Sequence, residues 1–184
     1  MLGDPVHLLF GSLTPQSFEL ALLIARFVLG AVFLAHGINH IYGGGKIAGT
    51  GRWFEGLGMR PGIVHAWLAS ITEIGSGALL LLGLLTPLAS AGVVGVMLVA
   101  WITNHRKNGF FIFRPGEGYE YVMVLTGLGV VIGTIGPGEW SIDDHVHFLT
   151  TLWGWPGFAI SLGGGAAGCA LLLLTSWRPT KPAE

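Results

Sequence analysis

ALLIARFVLGAVFLAHGINHIY, residues 21–42, carries a single charged side chain, Arg26. At 1.5 Å per residue a helix of this length covers about 33 Å, enough to cross a hydrocarbon core of ~30 Å. The apolar run extends back to Ser17, and further runs of the same kind follow at Val64–Leu85, Leu88–Asn104 and Gly118–Gly136. A fifth, Phe158–Trp177, is equally uncharged but rich in glycine, with a Gly164-x-x-x-Gly168 spacing that lets two helices approach closely. Pro61, Pro87, Pro137 and Pro156 fall between or at the edges of these runs, where a residue that cannot donate to a helical ladder belongs. The reading is an all-α integral membrane protein, a four-helix transmembrane bundle plus a fifth C-terminal transmembrane helix.

Composition agrees: 52% of the 184 residues are hydrophobic and 10% charged, with a mean hydropathy of +0.68, outside the range of a soluble domain. With a net charge of −1 and no basic stripe, the chain has no footprint for nucleic acid. Its lone Cys169 excludes an internal disulfide or a dithiol relay within this chain. The N-terminal segment has no Lys or Arg ahead of its short apolar stretch and carries Asp4, so the first span is expected to remain in the mature protein.

Charge then orients the spans. Lys46, Arg52 and Arg60 follow the first run; Arg106, Lys107 and Arg114 follow the third; Arg178 and Lys181 follow the fifth. The other connections hold Asp4, Glu19, Glu139, Asp143 and Asp144 and no basic residue. Because Lys and Arg stay cytoplasmic, the expectation is a bacterial-type cytoplasmic membrane protein with its N-terminus outside and its C-terminus inside. The chain divides into an extracytoplasmic segment 1–16, a bundle 17–136, an acidic extracytoplasmic loop 137–157, and a fifth helix with a basic tail, 158–184. Within the acidic loop, Asp143, Asp144, His145 and His147 read as solvated rather than as a metal site.

Ionisable groups inside a membrane cost roughly 2.5–3.5 kcal/mol each to insert and therefore face the bundle interior and a partner. Arg26, Gly30, Phe33, Gly37 and His40 recur at helical spacing on one face of the first span. Glu73, Gly77 and Leu80 form a stripe on the second, so a glycine-lined contact between the two is expected to bring Glu73 towards Arg26. His40, Asn104, His105, Glu120 and Tyr121 gather near the basic ends of three spans. With Glu73 and Arg26 deeper, they suggest a polar track suited to a proton path or a polar headgroup. His36 and His65 read as weaker candidates, and haem ligation by His40 and His105 is less expected than hydrogen bonding.

The stretches RFVLGAVFLAHGINHIYG, RWFEGLGMRPG and TEIGSGALLLLGLLTPLA, the His that closes the third span and GYEYVMVL resemble the DoxX family of small membrane proteins. Relatives of that family include the DoxD subunit of thiosulfate:quinone oxidoreductase. The likeness covers about Ala21 to Asp143, through the ordered set Arg26, Gly30, Gly37, Glu73, Gly77, His105, Glu120 and Asp143. Where the family usually has Lys after the first-span glycine, this chain has His40. The resemblance implies a membrane subunit of a quinone-linked oxidoreductase, acting on sulfur compounds or thiols with protein partners in a membrane complex. Glu73, His105 and Glu120 would then be catalytic in handling protons, and Arg26, His40 and Tyr121 would bind the quinone. No CxxC, CxxCH, P-loop or Rossmann fingerprint is present, so neither haem c nor nucleotide chemistry is encoded, and no metal is expected. A non-catalytic anchor or scaffold that docks partner enzymes is the alternative, and a small transporter or proton pathway the third.

Overall fold

The structure, a computed structural model, describes residues 14–179. Asp4 and Lys181 lie outside the described residues. Every helix expected is present. The first, α1 (Pro15–Tyr42), starts where Thr14 accepts a hydrogen bond from the Ser17 N–H and Pro15 fills the first turn, and it stops at the glycines of 43–45. It is followed by α2 (Lys46–Gly56), α3 (Gly62–Leu82), α4 (Thr86–Thr103), α5 (Glu120–Ile135), two single turns α6 (Ile142–His145) and α7 (His147–Thr150), and α8 (Trp155–Ser176). Within α8, Ala159–Gly164 is wound as a π-helix.

Four of these, α1, α3, α4 and α8, are long and apolar enough to cross a membrane. Their outward faces leave large apolar side chains such as Ile71 and Leu174 exposed, 64% and 79%, a surface that only lipid covers without penalty. The fourth expected span is shorter than its sequence run. It begins at Glu120 rather than Gly118, because the preceding loop folds back so that the Glu120 and Tyr119 N–H groups donate to the Phe110 and Gly109 carbonyls, and it ends at Gly136, whose φ of 92° halts the helix. Its 16 residues cover about 24 Å. The segment after the first span, expected to be a basic loop, instead contains α2. There Gly51 packs against α3, and Phe54 joins a small cluster with Met59 and Ala66.

The helices alternate in direction. One end of the bundle therefore collects Arg52, Arg60, Arg106, Lys107, Arg114 and Arg178, and the other Glu19, Glu139, Asp143 and Asp144. We call these the basic and acidic ends. The core between α1, α3, α4 and α5 is built from Leu29, Phe33, Leu80, Val93, Val122 and Ile132 and their neighbours. α1 packs closely on α3. A Cβ added at Gly30 would lie 2.8 Å from the Gly77 carbonyl oxygen, and one at Gly77 2.7 Å from the Gly30 oxygen, so both positions must lack a side chain. α4 sits centrally, with α8 packed on its outer side and parallel to it.

Candidate functional site

The α1–α3 register decides where the polar residues meet. With Gly30 opposite Gly77, and Gly37 against Ser70 and Ile74, the residue of α1 that comes beside Glu73 is His40. The Glu73 carboxylate oxygen Oε2 lies 3.2 Å from His40 Nε2. The expected Arg26–Glu73 approach does not occur. Arg26, 2% exposed, lies at the acidic end, where Nη1 donates to the carbonyls of Leu81 (2.7 Å) and Leu80 (3.2 Å), and Nη2 donates to the carbonyl of Trp140. These last-turn carbonyls of α3 have few partners of their own, which is why a guanidinium is held there. The reason for the difference is positional. Helical spacing puts Arg26 and His40 on one face of α1, but roughly 20 Å of helix separates them.

Arg26 also feels Asp143, and Asp143 is itself buried rather than solvated as the acidic loop suggested. Its two oxygens accept the N–H groups of Leu85 and Thr86, at 2.7 and 2.9 Å, at the start of α4. A carboxylate there completes the donors a helix leaves open and complements its dipole. Arg26 and Asp143 thus tie the 137–145 loop to the α3–α4 turn.

A cavity of about 680 Å³ occupies the middle and basic half of the bundle. His36 and His40 from α1, Glu73 and His65 from α3, Asn104 and His105 beyond α4, and Tyr121 at the start of α5 give it a polar side. Small and apolar groups of α3, α4 and α8 line the rest, among them Leu79, Gly92, Val96 and Gly165. Glu73 is 5% exposed, and His40 stands too far off the line for a hydrogen bond, so Glu73 Oε2 has no hydrogen-bond partner among the described residues. His65 Nδ1, also buried, has none either. Two unsatisfied buried polar atoms around one cavity are what a polar ligand or bound water would complete.

His105 Nδ1 lies 2.9 Å from the Glu117 carbonyl and Nε2 3.3 Å from the Asn104 amide nitrogen. That pattern assigns the neutral tautomer with the proton on Nδ1, since a carbonyl can only accept and an amide N–H only donate. Glu120 does not line the cavity; its Oε2 accepts the Ile112 N–H at 3.1 Å and fastens the loop before α5. Of the six candidate residues, then, His40, Glu73, His105 and Tyr121 converge on the cavity, whereas Arg26 and Glu120 are held elsewhere by backbone groups. His36, His65 and Cys169 also line it. Their signal was present as periodicity: His36 stands one helical turn before His40, and His65 two turns before Glu73 on the same face.

The DoxX family profile matches residues 21–106, which carry α1 to α4 and every cavity residue contributed by the first three spans. An "Uncharacterized membrane protein Rv3486" of Mycobacterium tuberculosis (strain ATCC 25618 / H37Rv) is 30% identical over 143 residues, 73% of this chain and 86% of that protein. The chain belongs to the DoxX family. A further relative, "Putative oxidoreductase CatD" of Bacillus subtilis (strain 168), is 27% identical over 117 residues, 64% of this chain and 81% of the relative. No solved structure matches. The DoxX portion ends at the basic end of α4, so Tyr121 and the α8 wall of the cavity lie beyond the matched residues.

Chemically the cavity can hold a mainly apolar molecule with one polar edge. His40 and Tyr121 offer N–H and O–H donors, and Glu73 and His65 offer acceptors. Glu73 is close enough to Tyr121 to act on it electrostatically.

Proposed function

We propose that this DoxX protein is the quinone-binding membrane subunit of an oxidoreductase. It would lie in a bacterial-type cytoplasmic membrane with its basic end facing the cytoplasm. The observation that carries this reading is the buried Glu73–His40 pair, with Oε2 unsatisfied, on the polar side of a largely apolar cavity of about 680 Å³. A bound quinone would supply the electron acceptor, taking two electrons and two protons in all. His40 Nε2–H and the Tyr121 hydroxyl would hold a ring oxygen, and Glu73 and His40 would hold and pass protons at that edge. His105 and Asn104 stand between this edge and the basic end, the side from which protons would be replaced.

Cys169 alone cannot form a dithiol, so on this reading the electrons would come from a partner. Two partner thiols going to a disulfide would release two electrons and two protons, which balances reduction of one quinone to quinol. The name of the B. subtilis relative supports an oxidoreductase assignment but no particular donor. The test is extraction of lipids from protein purified in native-like membrane, followed by quinone add-back to wild type and Glu73→Gln. Bound quinone, with affinity weakened at least about tenfold by Glu73→Gln, is the expected result. No quinone in the extract and none bound on add-back would overturn it.

One feature favours a docking role alongside. Phe110, Phe111, Ile112 and Phe113 are exposed between Arg106, Lys107 and Arg114 at the basic end, an apolar and cationic loop whose backbone is held at the start of α5 while Phe111 and Phe113 stack on each other. If this loop docks the partner, Phe111→Ser with Phe113→Ser releases co-purifying protein while quinone binding is unchanged. Retention of the partner at wild-type levels would remove this role.

A further inference from the structure

Leu68, Ile71 and Leu88 line the cavity yet are 45%, 64% and 57% exposed, so the cavity opens sideways through the wall of the bundle. The opening lies between α3 and α8. Both helices pack on α4 but not side by side along their length, and they are drawn together only at the basic end. There the Arg60 N–H donates to the Ser176 carbonyl (3.1 Å), the Arg178 N–H donates to the Gly58 carbonyl (2.7 Å), and the Trp177 indole donates to the Leu57 carbonyl (2.9 Å). Above that clasp the groove has α4 as its floor, Leu68, Ile71 and Gly75 of α3 on one rim and Gly164 and Gly168 of α8 on the other.

Gly75 on α3 and Gly168 on α8 line it with nothing within 4 Å of where a Cβ would stand. Neither glycine is therefore required for helix contact, unlike Gly30 and Gly77. A glycine inside a helix costs about 1 kcal/mol relative to alanine, so two that pack against nothing keep space open at an energetic cost. The groove's far wall is the polar side of the cavity, where Glu73 Oε2 and His65 Nδ1, both on residues about 95% buried, lack hydrogen-bond partners among the described residues.

We infer that the α3–α8 groove is a lateral portal through which a quinone with a long polyprenyl tail enters from the lipid, its ring reaching Glu73 and His40 while its tail stays between Gly75 and Gly168. This rests on the quinone reading above and adds the entry route and the part of the ligand that the groove recognises. A polyprenyl tail suits an apolar slot opening at mid-membrane, because the tail never has to enter water. The cavity's other exposed edge, at His36 beside Tyr121, is polar and suits the ring rather than a tail. The clasp at 57–60 and 176–178 closes the groove towards the basic end, so the tail leaves towards the middle of the bilayer.

The test compares a polyprenyl quinone with a ring analogue bearing only methyl groups, on wild type, Gly75→Leu and Gly168→Leu in lipid nanodiscs. A Cβ at either position meets nothing within 4 Å, so both variants are expected to fold, and their unfolding midpoints in the nanodisc check it. The portal predicts that each variant weakens the polyprenyl quinone at least about tenfold while the ring analogue stays within about threefold of wild type. If both variants bind the polyprenyl quinone as wild type does, the groove holds only lipid acyl chains and the portal is overturned, with the headgroup site intact. Equal weakening of both ligands also overturns it, since the effect is then on the ring site. If wild type binds neither ligand, both the portal and the quinone reading fall.

Discussion

Replacing Arg26 and Glu73 with Leu, singly and together, measures the α1–α3 register directly. Arg26 contacts Leu80 and Leu81, seven to eight residues from Glu73 along α3, which is about 10–12 Å. Groups that far apart with no shared partner contribute additively within roughly 0.5 kcal/mol. Arg26→Leu removes charge-assisted hydrogen bonds to the carbonyls of Leu81 and Trp140, each about 1.5–3 kcal/mol, for a loss on the order of 3 kcal/mol after relaxation. Glu73→Leu removes a buried charge together with its need for a partner and costs on the order of 1 kcal/mol, whereas His40→Leu leaves that charge buried and unpaired and costs about 3 kcal/mol. The His40/Glu73 double change should therefore recover stability, with a coupling of about 1–3 kcal/mol, and should leave quinone binding lost. Reversible unfolding in mixed micelles reads all these quantities. A coupling above about 1 kcal/mol between Arg26 and Glu73, or none between His40 and Glu73, would refute the register.

Three other outcomes follow from the same geometry. Gly30→Ala and Gly77→Ala should each destabilise by about 1–3 kcal/mol in the same assay, because the new methyl meets backbone, whereas Gly127→Ala, which meets nothing within 4 Å, should be neutral or mildly stabilising. Asp143→Ala strips the acceptors from the Leu85 and Thr86 N–H groups and should cost about 2–4 kcal/mol; a loss below about 0.5 kcal/mol would mean the loop does not hold the α3–α4 turn. On a Cys169→Ala background, Glu55→Cys and Lys107→Cys should react with an impermeant maleimide only after cells are permeabilised, and His147→Cys in intact cells. Labelling in the reverse sense would invert the proposed orientation.

The apolar runs, their interrupting prolines and the sorting of charge were enough to specify helices that cross a bilayer and to separate a basic from an acidic end, because a lipid environment permits little else for uncharged stretches of this length. Periodicity likewise placed Arg26, Gly30, Gly37 and His40 on one face of α1, and the family likeness pointed to the residues of the first three spans. Sequence spacing could not choose the depth at which α1 meets α3. A register with Arg26 opposite Glu73 would set Gly30 against Ala69 and Gly37 against Gly62, also small residues, and it differs from the observed one by about 12 Å of sliding. The choice is made by groups far away in the chain: Trp140 takes the Arg26 guanidinium, Asp143 holds the α3–α4 turn, and together they fix Leu80 and Leu81 at the acidic end and leave Glu73 to His40. The cavity is decided the same way. His36, His65 and Gly168 come from three helices and converge only once those helices are packed, because the distance between side chains on different helices is set by tertiary contacts that no local pattern encodes.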